Sequence, residues 1–244
     1  MRKLILMMLL ATLGVIPTMG DYIAIHDGGV HVIGDDRYKD DHIRLDHEIA
    51  NDPGTSFTLN TGGIIGGGLV TYNSSTAIID GGTVGEKIVA SGVSEVEIKS
   101  GTIQGYVYSG TDSIIEIIGG TISGDIKVHY QGNIKVSGGL IGGIFDVWGD
   151  GVIELYGSDF SVGGVDLSVG DSLRDYGTLE LLGFGDPFYT GTINGTLSDG
   201  TELNHYFQIS DWEDGDIVIV PEPATLMLFI TGLGTMVIKK RRHN

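Results

Sequence analysis

A spacing of 19 residues repeats through the middle of this chain and constrains its fold more than any other feature. Apolar residues recur at that spacing in four columns between residues 62 and 160, and polar residues fill the position between two of them. The apolar columns are Val96, Ile115, Ile134 and Ile153; Ile98, Ile117, Val136 and Leu155; Ile65, Val84, Ile103, Ile122, Ile141 and Phe160; and Leu69, Ile88, Val107, Ile126 and Phe145. The polar column is Glu97, Glu116, Lys135 and Glu154. An apolar-polar-apolar order predicts a strand with one buried face.

Glycine marks the turns of this repeat. A column at the same spacing holds Gly62, Gly81, Ser100, Gly119, Gly138 and Gly157. Equal repeats of about 19 residues with glycine turns and no helical period indicate a solenoid. We therefore predict an all-β fold, a single-stranded parallel β-helix (β-solenoid), and we expect it to wind right-handed. A left-handed hexapeptide helix and a β-sandwich are the alternatives, but the first needs a visible hexad and the second does not require a fixed period.

The repeat divides the chain into segments. Residues 57–167 are predicted to form the solenoid, and residues 21–56, which lack the period and are rich in Asp and His, are predicted to cap its N-terminal end. Residues 168–219 are predicted to form a C-terminal β cap, in which Asp199-Gly200 is a hairpin signal and Asp216–Val220 is the closing strand. Leu179 and Leu181 are where the apolar columns are expected to resume after an insertion.

Both termini have the composition of targeting segments. Residues 1–20 combine a basic start, an apolar stretch and small residues, which predicts a secretory signal peptide cleaved between Gly20 and Asp21. Near the other end, Val220, Pro221, Glu222 and Pro223 precede an apolar run, Ala224 to Ile238, which predicts a short transmembrane helix. A basic stop follows at Lys239, Lys240, Arg241 and Arg242.

Charge and cysteine content narrow the classes of function. All 32 acidic residues lie between Asp21 and Glu222, and eight basic residues lie in the same body, so its formal charge is 8 − 32 = −24. This balance argues against binding DNA or RNA, because phosphate binding needs Lys and Arg. The basic ends are expected to stay cytoplasmic while the acidic body crosses the membrane. The absence of cysteine excludes disulfide bonds and thiolate chemistry.

The segment 220–244 resembles the PEP-CTERM sorting domain. That family has a Val-Pro-Glu-Pro motif, an apolar helix and a basic tail at the extreme C-terminus, and all three parts occur here in that order. The departures are Gly232 and Gly234 within the apolar run and His243-Asn244 after the basic cluster. The resemblance implies recognition by an exosortase-type membrane protease after passage through the secretion translocon. It also implies delivery to the cell surface or matrix of bacteria that make exopolysaccharide.

Two groups of residues outside the repeat have the chemistry of metal ligands. One group lies between His26 and Glu48 and the other is the run Asp211–Asp216, but neither has the spacing of a zinc or EF-hand site. We expect solvated acidic loops, no metal site and no cofactor, with calcium as the alternative ligand. Gly34-Asp35-Asp36 resembles the Gly-Asp-Asp element of β-helical polygalacturonases, but that family's other elements do not occur here.

The sequence thus favours a non-catalytic, exported surface or extracellular-matrix protein, for which exopolysaccharide is the expected partner and nucleic acid is not. No catalytic residue is predicted. The alternatives are a β-helical polysaccharide lyase or hydrolase, for which the repeat offers only the cations Lys87, Lys99, Lys127 and Lys135, and an adhesin that binds a ligand through its caps. The outward residues discriminate among these, because an enzyme needs one strip where carboxylates and a cation converge.

Overall fold

A computed structural model describes residues 22–46, 54–182 and 186–221 of the 244-residue chain. These residues form an all-β solenoid of about seven turns. In chain order the first strands are β1 (Tyr22–Ile25), β2 (Val30–Ile33), β3 (His42–Leu45), β4 (Ser56–Asn60), β5 (Ile64–Ile65), β6 (Leu69–Thr71), β7 (Thr76–Val84), β8 (Ile88–Ala90), β9 (Glu95–Ile103), β10 (Val107–Gly110) and β11 (Ile114–Ile117). The remaining strands are β12 (Thr121–Ile122), β13 (Ile126–His129), β14 (Asn133–Val136), β15 (Leu140–Ile141), β16 (Phe145–Val147), β17 (Val152–Val162), β18 (Val165–Asp166), β19 (Thr178–Leu182), β20 (Asp186–Leu197), β21 (Glu202–Ser210) and β22 (Asp216–Val220). One short 3₁₀ helix spans Leu173–Asp175.

Parallel pairing between successive coils arranges most of these strands in three ladders. Ladder 1 contains β1, β3, β6, β8, β10, β13, β16 and β21. Ladder 2 contains β2, β4, the first halves of β7 and β9, β11, β14, the start of β17, and β22. Ladder 3 contains β5, the second halves of β7 and β9, β12 and β15. In the central coils Val107 pairs with Ile88 and Ile126, each 19 residues away, so the predicted period is confirmed as the register of the solenoid.

The predicted apolar columns lie inside the coil. Side chains of a strand alternate between its two faces, and the inward ones stack on the equivalent side chains of the next coil. In ladder 1 the inward column from Leu69 to Phe145 is fully buried, and in ladder 2 the columns that contain Ile115 and Ile117 are buried as well. Each such side chain contributes roughly 1.5–3 kcal/mol by its burial, before the entropy of the ordered chain is subtracted.

Backbone geometry explains the glycines at one corner of the coil. Gly82, Gly101, Gly120 and Gly139 are 19 residues apart, and their φ angles lie between +71° and +99°. A Cβ atom on Gly101 would lie 2.6 Å from the carbonyl oxygen of Gly81 in the coil below. Only glycine meets both conditions, because it tolerates positive φ and lets two backbones approach closely. From Gly82 onward the positive-φ column lies one residue after the turn column taken from the sequence, in which only Gly62 and Gly81 have positive φ.

The solenoid begins earlier than residue 57. β1 pairs with β3 and β2 pairs with β4 in parallel, so residues 22–45 already supply strands to ladders 1 and 2. The pairing of Ile43 with Leu69 bridges 26 residues rather than 19, because the chain between these strands is longer than in later coils. The longer first coils hide the 19-residue period from the sequence, and the segment predicted as a cap contains stacked coil strands.

The last coil is completed after a detour. β17 leaves ladder 2 at Tyr156, and the chain then forms an antiparallel sheet of β18, β19, β20 and part of β17 before β21 and β22 rejoin the ladders. The apolar columns resume at Phe207, which pairs with Phe145, and at Ile217, which pairs with Ile153. The expectation that Leu179 and Leu181 resume them is wrong, since both lie exposed on antiparallel β19.

Two predictions about this C-terminal region are confirmed. Asp199-Gly200 forms the turn between β20 and β21, where Gly200 has a φ of +90°, and Asp216–Val220 is the closing strand β22. The described part of the chain contains no helix long and apolar enough to cross a membrane. The predicted transmembrane segment, Ala224 to Ile238, lies outside the described residues.

Candidate functional site

Most residues of the two predicted targeting signals lie outside the described residues. These are Gly20 and Asp21 at the predicted cleavage site, Glu222 and Pro223 of the sorting motif, and the basic stop of Lys239, Lys240, Arg241 and Arg242. Val220 is the last residue of β22 and Pro221 follows it directly. The first half of the sorting motif is therefore attached to the closing strand of the solenoid.

The acidic and His-rich segment makes separate local pairs. Asp27 accepts a hydrogen bond from His31 Nε2 at 2.9 Å, and Asp35 accepts two from the Arg37 guanidinium at 2.7 Å each. The hydrogen bond from Arg37 holds the pKa of Asp35 below its usual range. His42 Nδ1 accepts the backbone N–H of Gly68 at 2.9 Å. In the described ranges no group of three or more His, Asp and Glu side chains is placed to hold a metal ion.

Carboxylates dominate one outer surface of the solenoid, which we call the glutamate face: the outward side of ladder 2 with Glu95, Glu97, Glu116, Lys135 and Glu154. Glu116 pairs with Glu97 on one side and with Lys135 on the other, and Lys99 Nζ lies 3.0 Å from Glu97 Oε2. Glu154 accepts hydrogen bonds from Asn133 at 2.9 Å and from Tyr156 at 2.6 Å. Burial and the Glu154 carboxylate together raise the pKa of the Tyr156 hydroxyl. Glu97 and Glu154 thus have side-chain partners, and Glu95, Glu97, Glu116 and Lys135 line a groove of about 510 Å³.

Aromatic side chains and cations dominate a second surface, which we call the tyrosine face. It is the outward side of ladder 1 with its flanking residues, and its members are Tyr22, Arg44, Tyr72, Lys87, Tyr106, Tyr108, Lys127, His129 and Trp148. Six register steps of about 4.8 Å separate the coil of Tyr22 from that of Trp148, so the face extends along about 29 Å of the solenoid. The Arg44 guanidinium lies 3.7 Å from the centre of the Tyr22 ring, and Lys87 and Lys127 lie 5.6 and 5.8 Å from that of Tyr106.

The N-terminal half of the tyrosine face contains a groove of about 310 Å³, which we call the basic groove. Its lining includes Tyr22, Arg44, Tyr72, Lys87, Tyr106 and Tyr108. Neither Asp nor Glu is present among the described residues that line it, although the chain has 32 acidic residues. Arg44 Nε is buried and has no hydrogen-bond partner in the described part of the chain. The groove thus combines aromatic rings with cations in an otherwise acidic protein.

Two carboxylates and one lysine meet at the middle of the tyrosine face. Lys127 Nζ lies 3.0 Å from Asp125 Oδ2 and 3.7 Å from Asp146 Oδ2. Asp146 also accepts hydrogen bonds from Trp148 Nε1 at 2.9 Å and Gln208 Nε2 at 2.7 Å. Burial lowers the pKa of Lys127, but the hydrogen bond and charge of Asp125 and the charge of Asp146 outweigh burial, so the pKa is raised overall. Lys127 is therefore held protonated and is not poised to act as a base.

The C-terminal half of the tyrosine face continues into a second cavity, which we call the aromatic cleft. It has a volume of about 210 Å³ and is lined by His129, Tyr130, Trp148, Trp212, Asp186 and Glu213, among others. The Trp148 ring packs edge-on against Phe188 of β20 with centroids 4.9 Å apart, so the cleft lies between the regular coils and the detour. Trp212 is 70% exposed. Burial lowers the pKa of His129, which keeps that ring neutral near pH 7.

The sequence indicated the lysines of this surface but not the surface itself. The outward column of ladder 1 reads Arg44, Val70, Val89, Tyr108, Lys127 and Asp146, so apart from the two valines no residue type repeats along it. The sequence did contain one signal for this surface: these outward residues directly follow the residues of the buried column from Leu69 to Phe145. Gly34-Asp35-Asp36 lies elsewhere, in the loop after β2, where Asp35 is paired with Arg37.

Comparisons with protein-family models, with curated proteins and with solved structures find no match to this chain.

Proposed function

We propose that this protein is a non-catalytic surface or matrix protein, sorted by an exosortase-type system, that associates with exopolysaccharide through the tyrosine face. The observation that carries the proposal is the series of aromatic rings along about 29 Å of one side of the solenoid. A flat ring offers the apolar side of a sugar a surface to pack against, and neighbouring polar groups provide the hydrogen bonds that orient it. An extended polymer can make such contacts on several coils at once.

The export steps of the proposal depend on the sequence. The signal peptide of residues 1–20 takes the chain to the translocon, and the motif Val220, Pro221, Glu222 and Pro223 is the exosortase recognition element. The apolar run from Ala224 to Ile238 holds the precursor in the membrane as a short helix, and the basic stop fixes its orientation. The acidic body, wound as a right-handed coil, is then released at the cell surface. The attachment of Pro221 to the closing strand supports this arrangement, since cleavage after the strand would leave the solenoid intact.

One observation favours a second candidate, a polysaccharide lyase or hydrolase. Asp125, Lys127 and Asp146 converge on the tyrosine face, and clustered carboxylates with a cation are what such enzymes require. Against it, Lys127 is held protonated, and Asp146 already accepts hydrogen bonds from Trp148 and Gln208. We therefore assign the cluster to positioning Trp148 and propose no catalytic residue, metal or cofactor.

Two measurements test the proposal. Intact-mass analysis of the protein from its native host should give a chain shortened at both ends, near Gly20 and near the motif; recovery at full mass would contradict sorting. Incubation of the purified protein with a panel of acidic and neutral polysaccharides should give retention without shortening of the polymer. Release of shortened products would replace the structural role with the enzymatic one.

A further inference from the structure

We infer that the basic groove is a binding site for a carboxylated, anionic polysaccharide, whose carboxylates pair with Arg44 and Lys87. This inference rests on the proposed function and names the class of polymer that the tyrosine face takes. It starts from a contrast in charge: the body carries a formal charge of −24, yet the described lining of this one groove has cations and no carboxylate.

The two cations have unused capacity for an anion. Lys87 makes no ion pair with any carboxylate of the described residues. Its Nζ lies 5.6 Å from the centre of the Tyr106 ring. Arg44 stacks on Tyr22, and its buried Nε lacks a hydrogen-bond partner among those same residues. A carboxylate in the groove would accept hydrogen bonds from the guanidinium, whose planar donors match a carboxylate in a bidentate geometry. Lys127 differs, because Asp125 and Asp146 already neutralise it.

The spacing of the cations suits a polymer that lies along the solenoid axis. Arg44 pairs with Val70 of the following coil, and Val70 pairs with Val89 of the coil after that. Lys87 precedes Val89 by two residues in that last coil. Two register steps of about 4.8 Å place the two cations about 10 Å apart along the axis. The rings of Tyr72, Tyr106 and Tyr108 lie on the same groove and supply surfaces for the sugar rings between the charges.

The small number of cations in the groove argues against a nucleic acid as its ligand. Nucleic acids carry a phosphate at every nucleotide, and their binding requires many basic contacts against the repulsion of the acidic body. At physiological ionic strength charges more than about 8 Å apart are largely screened, so two local cations can hold spaced carboxylates despite the acidic body. A polymer with moderate charge density and flat sugar rings fits the groove better than a phosphate backbone.

The test compares two polymers that have the same backbone. Polygalacturonate carries a carboxylate on each sugar, and its highly methyl-esterified form carries few; both are measured by affinity electrophoresis with the full chain held in a mild detergent. We expect the full chain to bind polygalacturonate at least about tenfold more tightly, with an affinity that falls as salt rises. Lys87→Gln should weaken binding of polygalacturonate about fivefold and leave the esterified form unchanged.

Lys99→Gln is the matched control, because Lys99 lies on another side of the coil and pairs with Glu97. It should change neither affinity by more than about twofold. Equal affinity of the full chain for both polymers, or an equal loss in both lysine variants, would overturn the inference but leave the proposed function standing. Retention of neither polymer would overturn the inference, and only failure to bind any member of the polysaccharide panel would remove the proposed function as well. Tighter binding of a single-stranded oligonucleotide than of polygalacturonate would assign the groove to nucleic acid instead.

Discussion

The tyrosine face and the glutamate face are two outer surfaces of the same coils, yet they differ in how the repeat uses them. On the glutamate face one class of residue recurs, with Glu97, Glu116, Lys135 and Glu154 in register. On the tyrosine face the outward residue changes from coil to coil, except between Val70 and Val89. Both faces cover buried columns of Ile, Val and Leu, so the difference between them is not required by the fold.

This difference shows where the chain carries specific chemistry. Stacking constrains the inward positions of a solenoid strand, and the outward positions are free to vary. On a face whose outward residues repeat, opposite charges lie in register in adjacent coils, as Glu116 and Lys135 do. A face that departs from the repeat in most coils yet gathers rings and cations has the features of a binding surface. The following predictions test this distinction.

Trp148→Ala should have the largest effect on stability. The Trp148 ring packs against Phe188 and His129, and its Nε1 donates to Asp146, so truncation removes contacts and leaves a buried carboxylate with one donor fewer. We expect unfolding in urea to show a loss of about 2–4 kcal/mol. Ile114→Ala on the glutamate face is the comparison, and because Ile114 is 38% exposed we expect a loss of less than about 1 kcal/mol.

Trp212→Ala is the control for the role of the aromatic cleft. Trp212 lines the same cleft but is 70% exposed, so its removal should change stability by no more than about 0.5 kcal/mol while weakening retention on polysaccharide. Equal losses of stability in the Trp148 and Ile114 variants would contradict the view that the tyrosine face is anchored to the detour by its aromatic side chains.

Mild acid should destabilise the folded chain through two half-buried histidines, of which His129 lies on the tyrosine face. Burial lowers the pKa of His129, and of His205, which donates from Nδ1 to the Gly143 carbonyl. When the pH is below 6.5, the ordinary pKa of histidine, the unfolded chain therefore binds protons that the folded chain does not. Stability is present in full above that value and falls as the pH drops through it, by at most about 1.4 kcal/mol per pH unit for each histidine.

Urea unfolding at pH 7.5 and pH 5 measures this effect. Carboxylates whose pKa is lowered by hydrogen bonds, such as Asp27 and Asp35, lose their contribution only below the ordinary value of 3.8, so they do not obscure that window. The His129→Gln variant should show a smaller difference between the two conditions than the unaltered chain. The same stability at both pH values in the unaltered chain would contradict the prediction.

The sequence predicted the inside of this solenoid well and its outside poorly. Inward positions such as Val107 and Ile126 recur because the next coil must bury them, so their spacing alone gives the strands and the register. A second corner was not seen in the sequence: Asn73, Gly92, Thr111, Tyr130 and Gly149 are 19 residues apart and all have φ between +42° and +69°. These five residues share a backbone conformation but not one type of side chain. A search of the sequence for recurring residue types therefore does not detect this corner.

The candidate site escaped the sequence for a related reason. The basic groove joins side chains from several coils and from two neighbouring outward columns, including Arg44 and Lys87, that have no fixed spacing in the chain. The final coil was also hidden, because the detour separates Phe207 from its partner Phe145 by 62 residues instead of 19. Pairing across such a distance is determined by packing of the folded chain rather than by a local pattern.

Lys135→Gln should have the smallest effect on stability. It tests the comparison of the two faces from the glutamate face. Lys135 is in register with Glu116 in one neighbouring coil and Glu154 in the other, so its charge lies between two carboxylates. Its removal should cost about 0.5 kcal/mol at low salt and much less at 1 M salt, because exposed pairs are weak and readily screened. The Glu116→Gln variant is the control: Glu116 faces Glu97 on one side and Lys135 on the other, so repulsion and attraction offset each other and stability should barely change. If both variants lost stability equally, or if salt had no effect on the Lys135 variant, cross-coil charge pairing would not explain why this face keeps its repeat.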